Sequence, residues 1–519
     1  DKGIFYKKNL SGQADLIKSV KIPQGGVCKI EYGYVAPSFN MPMAKNVMSK
    51  VTLSDGSLDE KGQRLNEKGQ INENLMPYVD NGDHETVVTY KYENGKYDRA
   101  EREYYGFGKF TETSENGNYT VSTFKVDPDE YWLKGCLKES QQYTASDFLL
   151  FENTLTYPGE KEAPQSNLPA VDEVSLPVKE ETKYYEEPDK NNYVSSKTEY
   201  VYDEFLNVTE LTTTYNDDET KKIRAKVAYT NDFENNHYSL PVSIEVYGTN
   251  ESGQEELLRK RIGKYSPAGN LIKLEQYYEE DKALTTNLDY DEDGYGNIVR
   301  VTDPTGVSVE YVYDDLHQFV KTIKQVSSTD NSDFLVTSVE IDPEYQVKRK
   351  ETDLNGNEMN YEYDNWQRLT EVYSPYDNPG DPCVRFEYFT PKKGEHVTPN
   401  KSFWYVITTN KVAFEDVPQG QPNYIKTIVI QDGLSRVVQT AKTGYICENP
   451  EADENSLSFK KGWNVSGSVK YDKYGRVTEQ GQTYFVEGES VDTIIKEKYT
   501  NNEYVIKEVN ITKTDYDNR

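Results

Sequence analysis

The sequence predicts a mainly β protein: an antiparallel array of hairpins forming a large curled sheet. Three observations predict it: a repeated tyrosine–aspartate turn, strict period-two patterning around that turn, and a composition poor in core-forming residues. The clearest copy of the turn is Tyr471-Asp472-Lys473-Tyr474-Gly475-Arg476-Val477. A second reads Asp293-Gly294-Tyr295-Gly296-Asn297-Ile298, with Tyr290 and Asp291 just ahead of it. Tyr202-Asp203, Tyr313-Asp314 and Tyr363-Asp364 open further copies, the last closing with Gln367-Arg368-Leu369. Tyr516-Asp517-Asn518-Arg519 reads as another copy cut through its turn. A supersecondary unit reused in this way builds an extended surface rather than one pocket.

Ahead of the turns, Val307, Val309, Tyr311 and Tyr313 share one parity while Ser308 and Glu310 take the other, with Val312 breaking the pattern on the wet side. Met359, Tyr361 and Tyr363 alternate likewise against Glu358, Asn360 and Glu362. Period two gives a strand one apolar or aromatic face and one wet face. Aspartate accepts hydrogen bonds from turn amides, and glycine reaches positive φ without strain. The expected turn residues are therefore Asp203, Asp293, Gly296, Asp314, Asp364, Asp472 and Gly475. Copies recur at about 20 residues, enough for two short strands and two turns at roughly 3.3 Å per residue.

Apolar residues make up 35% of the 519, and even with 33 glycines the chain stays below the roughly 45–50% of ordinary globular domains. It carries 44 tyrosines and only five methionines, at a mean hydropathy of −0.86. Tyrosine suits a sheet with water nearby, because its ring packs on cross-strand neighbours while its hydroxyl stays wet. A chain of this length has room for two to four domains. Alternation alone fits a string of small β-sandwiches as well as one curled sheet.

These turns resemble the YD repeats of bacterial Rhs proteins and of the B/C component of Tc insecticidal toxins. Two further stretches narrow the resemblance to the Tc-B and Salmonella-plasmid-virulence-B-like branch. One is Gly12-Gln13-Ala14-Asp15-Leu16-Ile17-Lys18-Ser19-Val20 with Gly25-Gly26 and Ile30-Glu31-Tyr32, similar to the segment leading from that family's β-propeller into its shell. The other runs from Tyr90-Lys91-Tyr92-Glu93-Asn94-Gly95-Lys96-Tyr97-Asp98 into Arg102-Glu103-Tyr104-Tyr105-Gly106-Phe107-Gly108, with Tyr131-Trp132-Leu133-Lys134-Gly135 more loosely alike. Asp432-Gly433-Leu434-Ser435-Arg436-Val437 looks like an Rhs-type turn and strand. The resemblance implies a structural wall of a toxin-encapsulating cocoon that stores and shields an effector outside this chain. It implies as partners the effector cargo, the remaining half of the shell, an N-terminal β-propeller and a translocation component, with a secreted or cell-surface location. The family's aspartyl autoprotease follows further repeats, and no residue here matches its motif.

The expected organisation is a Tc-B middle-region-like β segment over 1–157 and a Pro-rich acidic connector over 158–190, punctuated by Pro158, Pro164, Pro169, Pro177 and Pro188. A hairpin array follows over 191–519, with a loop-rich insertion at 374–425 in which Phe403-Trp404-Tyr405-Val406 reads as a strand. Proline fixes φ and cannot donate to a ladder, so the connector is expected at an edge or outside the sheet. Met41 and Met43, separated by Pro42, read as short core or loop packing.

With 89 acidic against 59 basic residues the net charge is −30, which repels a phosphate backbone and argues against nucleic acid. Arg259-Lys260-Arg261 reads as a solvated strand face. No apolar run reaches the length of a membrane span. Cys28, Cys136, Cys383 and Cys447 are scattered without metal-ligand spacing, and read as isolated thiols. Adjacent acids such as Asp217-Asp218 read as turn chemistry. The runs at Asp291 and Asp353 resemble calcium loops but lack the glutamate at the twelfth position. His84, His237, His317 and His396 lie far apart with no nucleophile motif. No enzyme, cofactor or metal is expected. The alternative class is a secreted or surface β-rich module that binds glycan or protein through exposed tyrosines.

Overall fold

The computed structural model describes residues 16–22, 26–54, 85–160, 173–186, 189–232, 234–250, 252–326, 334–389, 404–412, 424–451, 457–466, 469–472, 474–488 and 511–516. Expectations resting on Gly12–Asp15, Gly25, His84, Pro164, Pro169, Pro188, His396, Phe403 and 517–519 lie outside these residues.

The expected antiparallel hairpin array is what the chain forms. Among the described residues one antiparallel sheet of 29 strands runs in chain order from Ser19–Lys21 to Phe459–Ser466, which then pairs with Tyr484–Glu487, and it does not close on itself. A small three-stranded sheet follows: Val469–Tyr471, Val477–Gly481 and Ile511–Lys513. Helix is confined among the described residues to one 3-10 turn, Pro128–Leu133, capped by Asp127 and burying Leu133 completely. No helix among the described residues is long and apolar enough to cross a membrane.

Register explains the alternation. Glu358, Asn360 and Glu362 are exposed while Met359, Tyr361 and Tyr363 are half-buried, as one face of a pleated strand requires. Val309 pairs with Val301 on one side, where the apolar parity continues, and with Gln325 on the other, where it gives way to a polar residue. The opposite face carries rungs of alternating sign. Asp289 pairs with Arg300, Arg300 with Glu310 and Glu310 with Lys324; Glu210, Lys226, Glu245 and Lys260 form another such rung. Opposite charges directly across a strand pair each contribute a few tenths to about 1 kcal/mol, and like charges would oppose pairing. The rungs therefore specify register on a face that buries little.

Two compact units emerge from the contacts, one of 1–36, 44–90 and 361–519, the other of 37–43 and 91–360. In the first, Tyr405, Ile407, Ile428, Ile430, Ala441, Trp463, Val465 and Val486 form the larger buried cluster. In the second, Val178 and Tyr202 make a smaller one. Met41 is buried in the second unit, and a Cβ at Gly95 would stand 2.6 Å from its sulfur, so the methionine fills loop packing there.

Two elements differ from expectation. Lys179–Glu186 falls within the stretch read as a connector, yet pairs with Leu149–Thr156 on one edge and Asp189–Tyr202 on the other. Pro177 precedes it and so removes no donor from its ladder. In the 374–425 stretch, Val384–Phe389 and Trp404–Lys411 are full ladder strands, in register from Val384–Asn410 to Phe389–Tyr405. Lys411 Nζ bonds Asp377 Oδ1 at 3.0 Å and Asp381 Oδ2 at 2.8 Å, fastening the proline-containing loop between them to that strand. Burial would raise the Asp377 pKa, but the Ser374 hydroxyl and amide and the Lys411 ammonium prevail and hold it at about 2. All four cysteines are free and half-buried.

Candidate functional site

The repeated turn is one piece of hydrogen-bond chemistry. At Asp472, the backbone amide donates to Arg476 O at 2.9 Å and the Gly475 amide donates back to Asp472 O at 3.0 Å. Carboxylate Oδ1 accepts from the amides of Tyr474 and Arg476, both at 2.9 Å, and Oδ2 accepts from Arg476 Nε at 2.7 Å. The third residue after the aspartate must take positive φ, and Gly475 does, at 82°. This is a tight turn closed by a left-handed residue, a hairpin geometry that glycine serves best.

Asp364 repeats it with Trp366 and Arg368, and Asp432 with Leu434 and Arg436. At Asp203 the amides of Phe205 and Asn207 bind Oδ1, and the Asn207 side chain replaces arginine on Oδ2 at 3.0 Å. Asp314 heads a longer version, accepting from Gln318 and Phe319 at 2.7 and 3.0 Å. The left-handed position is held by Leu206, His317, Gln367 and Ser435 in these copies, with φ between 58° and 66°.

At the second copy the carboxylate that takes the turn amides is that of Asp291, two residues before the expected Asp293. Its oxygens accept from Gly296 at 3.0 Å and Asn297 at 3.4 Å. Gly294 and Gly296 both have positive φ, 81° and 78°. The extra residues between Asp291 and Ile298 lengthen the loop, which is why counting back from Gly296 picks the wrong acid.

Asp303, Asp342 and Asp353 also head turns and stand outside the expected set. A tyrosine-led search passes over Asp303 and Asp353, because Thr302 and Thr352 precede them. The spacing to Gly306 and Gly356, three residues on, would have found both. The Thr305 hydroxyl holds the Asp303 pKa below the ordinary value, the Asn357 side chain does so at Asp353, and the Phe319 amide at Asp314. At Asp364 burial pulls upward, but the Arg368 amide and guanidinium outweigh it.

Six tyrosine hydroxyls tie their strands back to an earlier turn. Tyr471 Oη donates to Val437 O at 2.8 Å, Tyr516 to Val477 O at 2.9 Å and Tyr388 to Leu369 O at 2.8 Å. Tyr229 reaches Val208 O, Tyr290 reaches Leu271 O and Tyr313 reaches Ile298 O, at 3.0 to 3.1 Å. In every case the acceptor is the first strand residue after an earlier turn. The turn arginine completes the join. Arg368, Arg436 and Arg476 lie 4.3, 4.7 and 4.6 Å from the ring centroids of Tyr388, Tyr471 and Tyr516. Each guanidinium thus neutralises its own turn aspartate and stacks on the tyrosine of a later copy, a cation–π contact worth roughly 0.5–1 kcal/mol where exposed.

Among the described residues no group of three or more His, Cys, Asp or Glu could hold a metal ion. His317 stacks on Tyr295 at 4.3 Å between centroids. The chemistry of these turns is geometric: they fix register and join copies.

The family described as insecticide toxin TcdB middle/N-terminal region matches residues 4–139. No curated protein matches the sequence. Among solved structures, the Photorhabdus luminescens Tc holotoxin pore aligns at a TM-score of 0.65 and 13% identity, covering 93% of this chain and 34% of that one. The crystal structure of TcdB2-TccC3-Cdc42 aligns at 0.63 and 12% identity over 92% and 34%, and that of TcdB2-TccC3 at 0.62 and 13% over 92% and 32%. The chain spans about a third of the length of these solved chains. At such identity the likeness is one of fold. Residues 4–139 match a TcdB-type middle/N-terminal region, and the chain has the fold found in the Tc toxin structures that contain TcdB2 and TccC3.

Proposed function

We propose that this chain is a stretch of the wall of a toxin-enclosing cocoon, holding an effector apart from the cell that makes it. The observation that carries the reading is the long ladder of successively paired strands, with tyrosine hydroxyls and, at three turns, an arginine joining one strand to another. A sheet with charged rungs on one face and few fully buried side chains suits a partition between two aqueous spaces better than a globular core does. Strand twist curls such a sheet, and edge-to-edge pairing hides edges that would otherwise aggregate. In this reading the chain catalyses nothing and needs no cofactor. Its partners are the effector, the rest of the shell and the flanking propeller and translocation component, and its location is outside the producing cell or on its surface.

Protease protection tests this. The full-length protein is produced with its effector, and effector cleavage is compared with that of the free effector. Protection that vanishes when the shell is denatured is the expected result. Cleavage at the rate of free effector in the intact particle would remove the storage role.

A further inference from the structure

The residue two positions after the turn aspartate is Phe205, Leu316, Trp366, Leu434 or Tyr474 in five copies, and polar in the others, at Asp293, Thr305, Glu344 and Asn355. At Phe205, Trp366, Leu434 and Tyr474 the amide serves the aspartate, so the side chain is not needed to close the turn; Phe205 stacks on Tyr238 and Tyr474 lies against Arg476. At Leu434 another use is visible. The Gly26 amide donates to Gly433 O at 3.0 Å, joining the first hairpin loop to the tip of the Asp432 turn. Gly26 is buried there, and a Cβ on it would stand 2.5 Å from Gly433 O and 2.9 Å from Leu434 Cδ2. A second hairpin loop of the same sheet, lacking a side chain at the contact, is therefore the seat for this turn tip.

Trp366 occupies the equivalent position in the same unit, yet is 78% exposed. Arg368 stacks on it at 5.0 Å, which limits its rotamers in advance of any partner. In the other unit Leu316 is 60% exposed at the same place. We propose that the apolar residue at this turn position is a docking knob for another hairpin loop of the shell, engaged at Leu434 and awaiting its seat at Trp366. The partner is a glycine-bearing loop from the part of the wall outside this chain, because a loop of that chemistry fills the engaged case and the solved relatives are about three times longer.

This inference rests on the wall reading, so its test separates the two. In the full-length protein assembled with effector, Trp366 is replaced by the photo-cross-linker p-benzoylphenylalanine, and cross-linked peptides are identified by mass spectrometry. The same replacement at Leu434 is the reference, expected to join the segment around Gly26. Cross-links from position 366 to a glycine-containing hairpin loop of the shell support the knob. Cross-links only to the effector, or none while position 434 reacts, overturn it. Effector protection measured on the same particles reports on storage alone: protected effector without a 366 cross-link refutes the knob and spares the wall.

Discussion

A single left-handed residue closes each turn, and its cost depends on who holds it. Gly475 adopts φ 82°, where a β-branched side chain is strained, so Gly475→Val is expected to lower stability by about 1–3 kcal/mol. Gln367 holds the same position at 61° with a side chain, so Gln367→Gly should be neutral or stabilising by up to about 1 kcal/mol. Thermal melts of the two variants beside the parent check both, and an unchanged midpoint for Gly475→Val removes the strain argument. Arg436 carries two interactions at once. Arg436→Ala strips the Oδ2 partner from Asp432, whose side chain is 8% exposed, and uncovers Tyr471. A loss of about 1.5–3 kcal/mol follows for a hydrogen bond to a buried charge. Arg436→Lys should recover only part of it, since an ammonium neither forks nor stacks as a guanidinium does. Denaturant midpoints of the two variants measure the difference.

The strands were legible because alternation and turn chemistry point the same way. Tyr313, Tyr363 and Tyr471 mark strand ends and their aspartates mark turns, so a tyrosine-led reading finds those hairpins. It misses the Asp303 and Asp353 turns, whose strands end in threonine, and misplaces the acid at Asp291 because that loop is longer. Lys179–Glu186 was hidden by composition: three of its eight residues are glutamate between two prolines, yet it is central. Lys183 pairs with Glu152 and Lys179 lies 2.8 Å from Glu181, so charge complementarity sustains a strand that hydrophobicity does not announce. The hydroxyl-to-carbonyl ties joining copies were illegible, since nothing in one sequence says which carbonyl a tyrosine reaches. Acid should loosen these elements together. The pKa values of Asp303, Asp314, Asp353 and Asp364 are lowered in the fold, so their contribution is present above about pH 4 and fades as pH falls through the lowered values. Base should act through the tyrosines. Burial pushes Tyr202 up to about 12, so its stabilisation is intact below about pH 10 and is lost as pH rises through the folded value. Circular dichroism against pH should show a plateau between these limits; strand content unchanged to pH 2 would contradict the aspartate account.

At the scale of the molecule, two distributions matter: a buried cluster concentrated in the later strands, and a long middle run held by register, rungs and ties. Such a run is expected to unfold by cooperative neighbouring units, because each hairpin contacts chiefly its neighbours. The central claim, that the copies form one continuous wall around a cargo, is tested most directly by cryo-electron microscopy of the full-length protein assembled with its effector. The account predicts unbroken sheet density through residues 179–373, with effector density on one side only. Compact, separate sandwiches with water between them, or an effector bound on an outer surface, would contradict it.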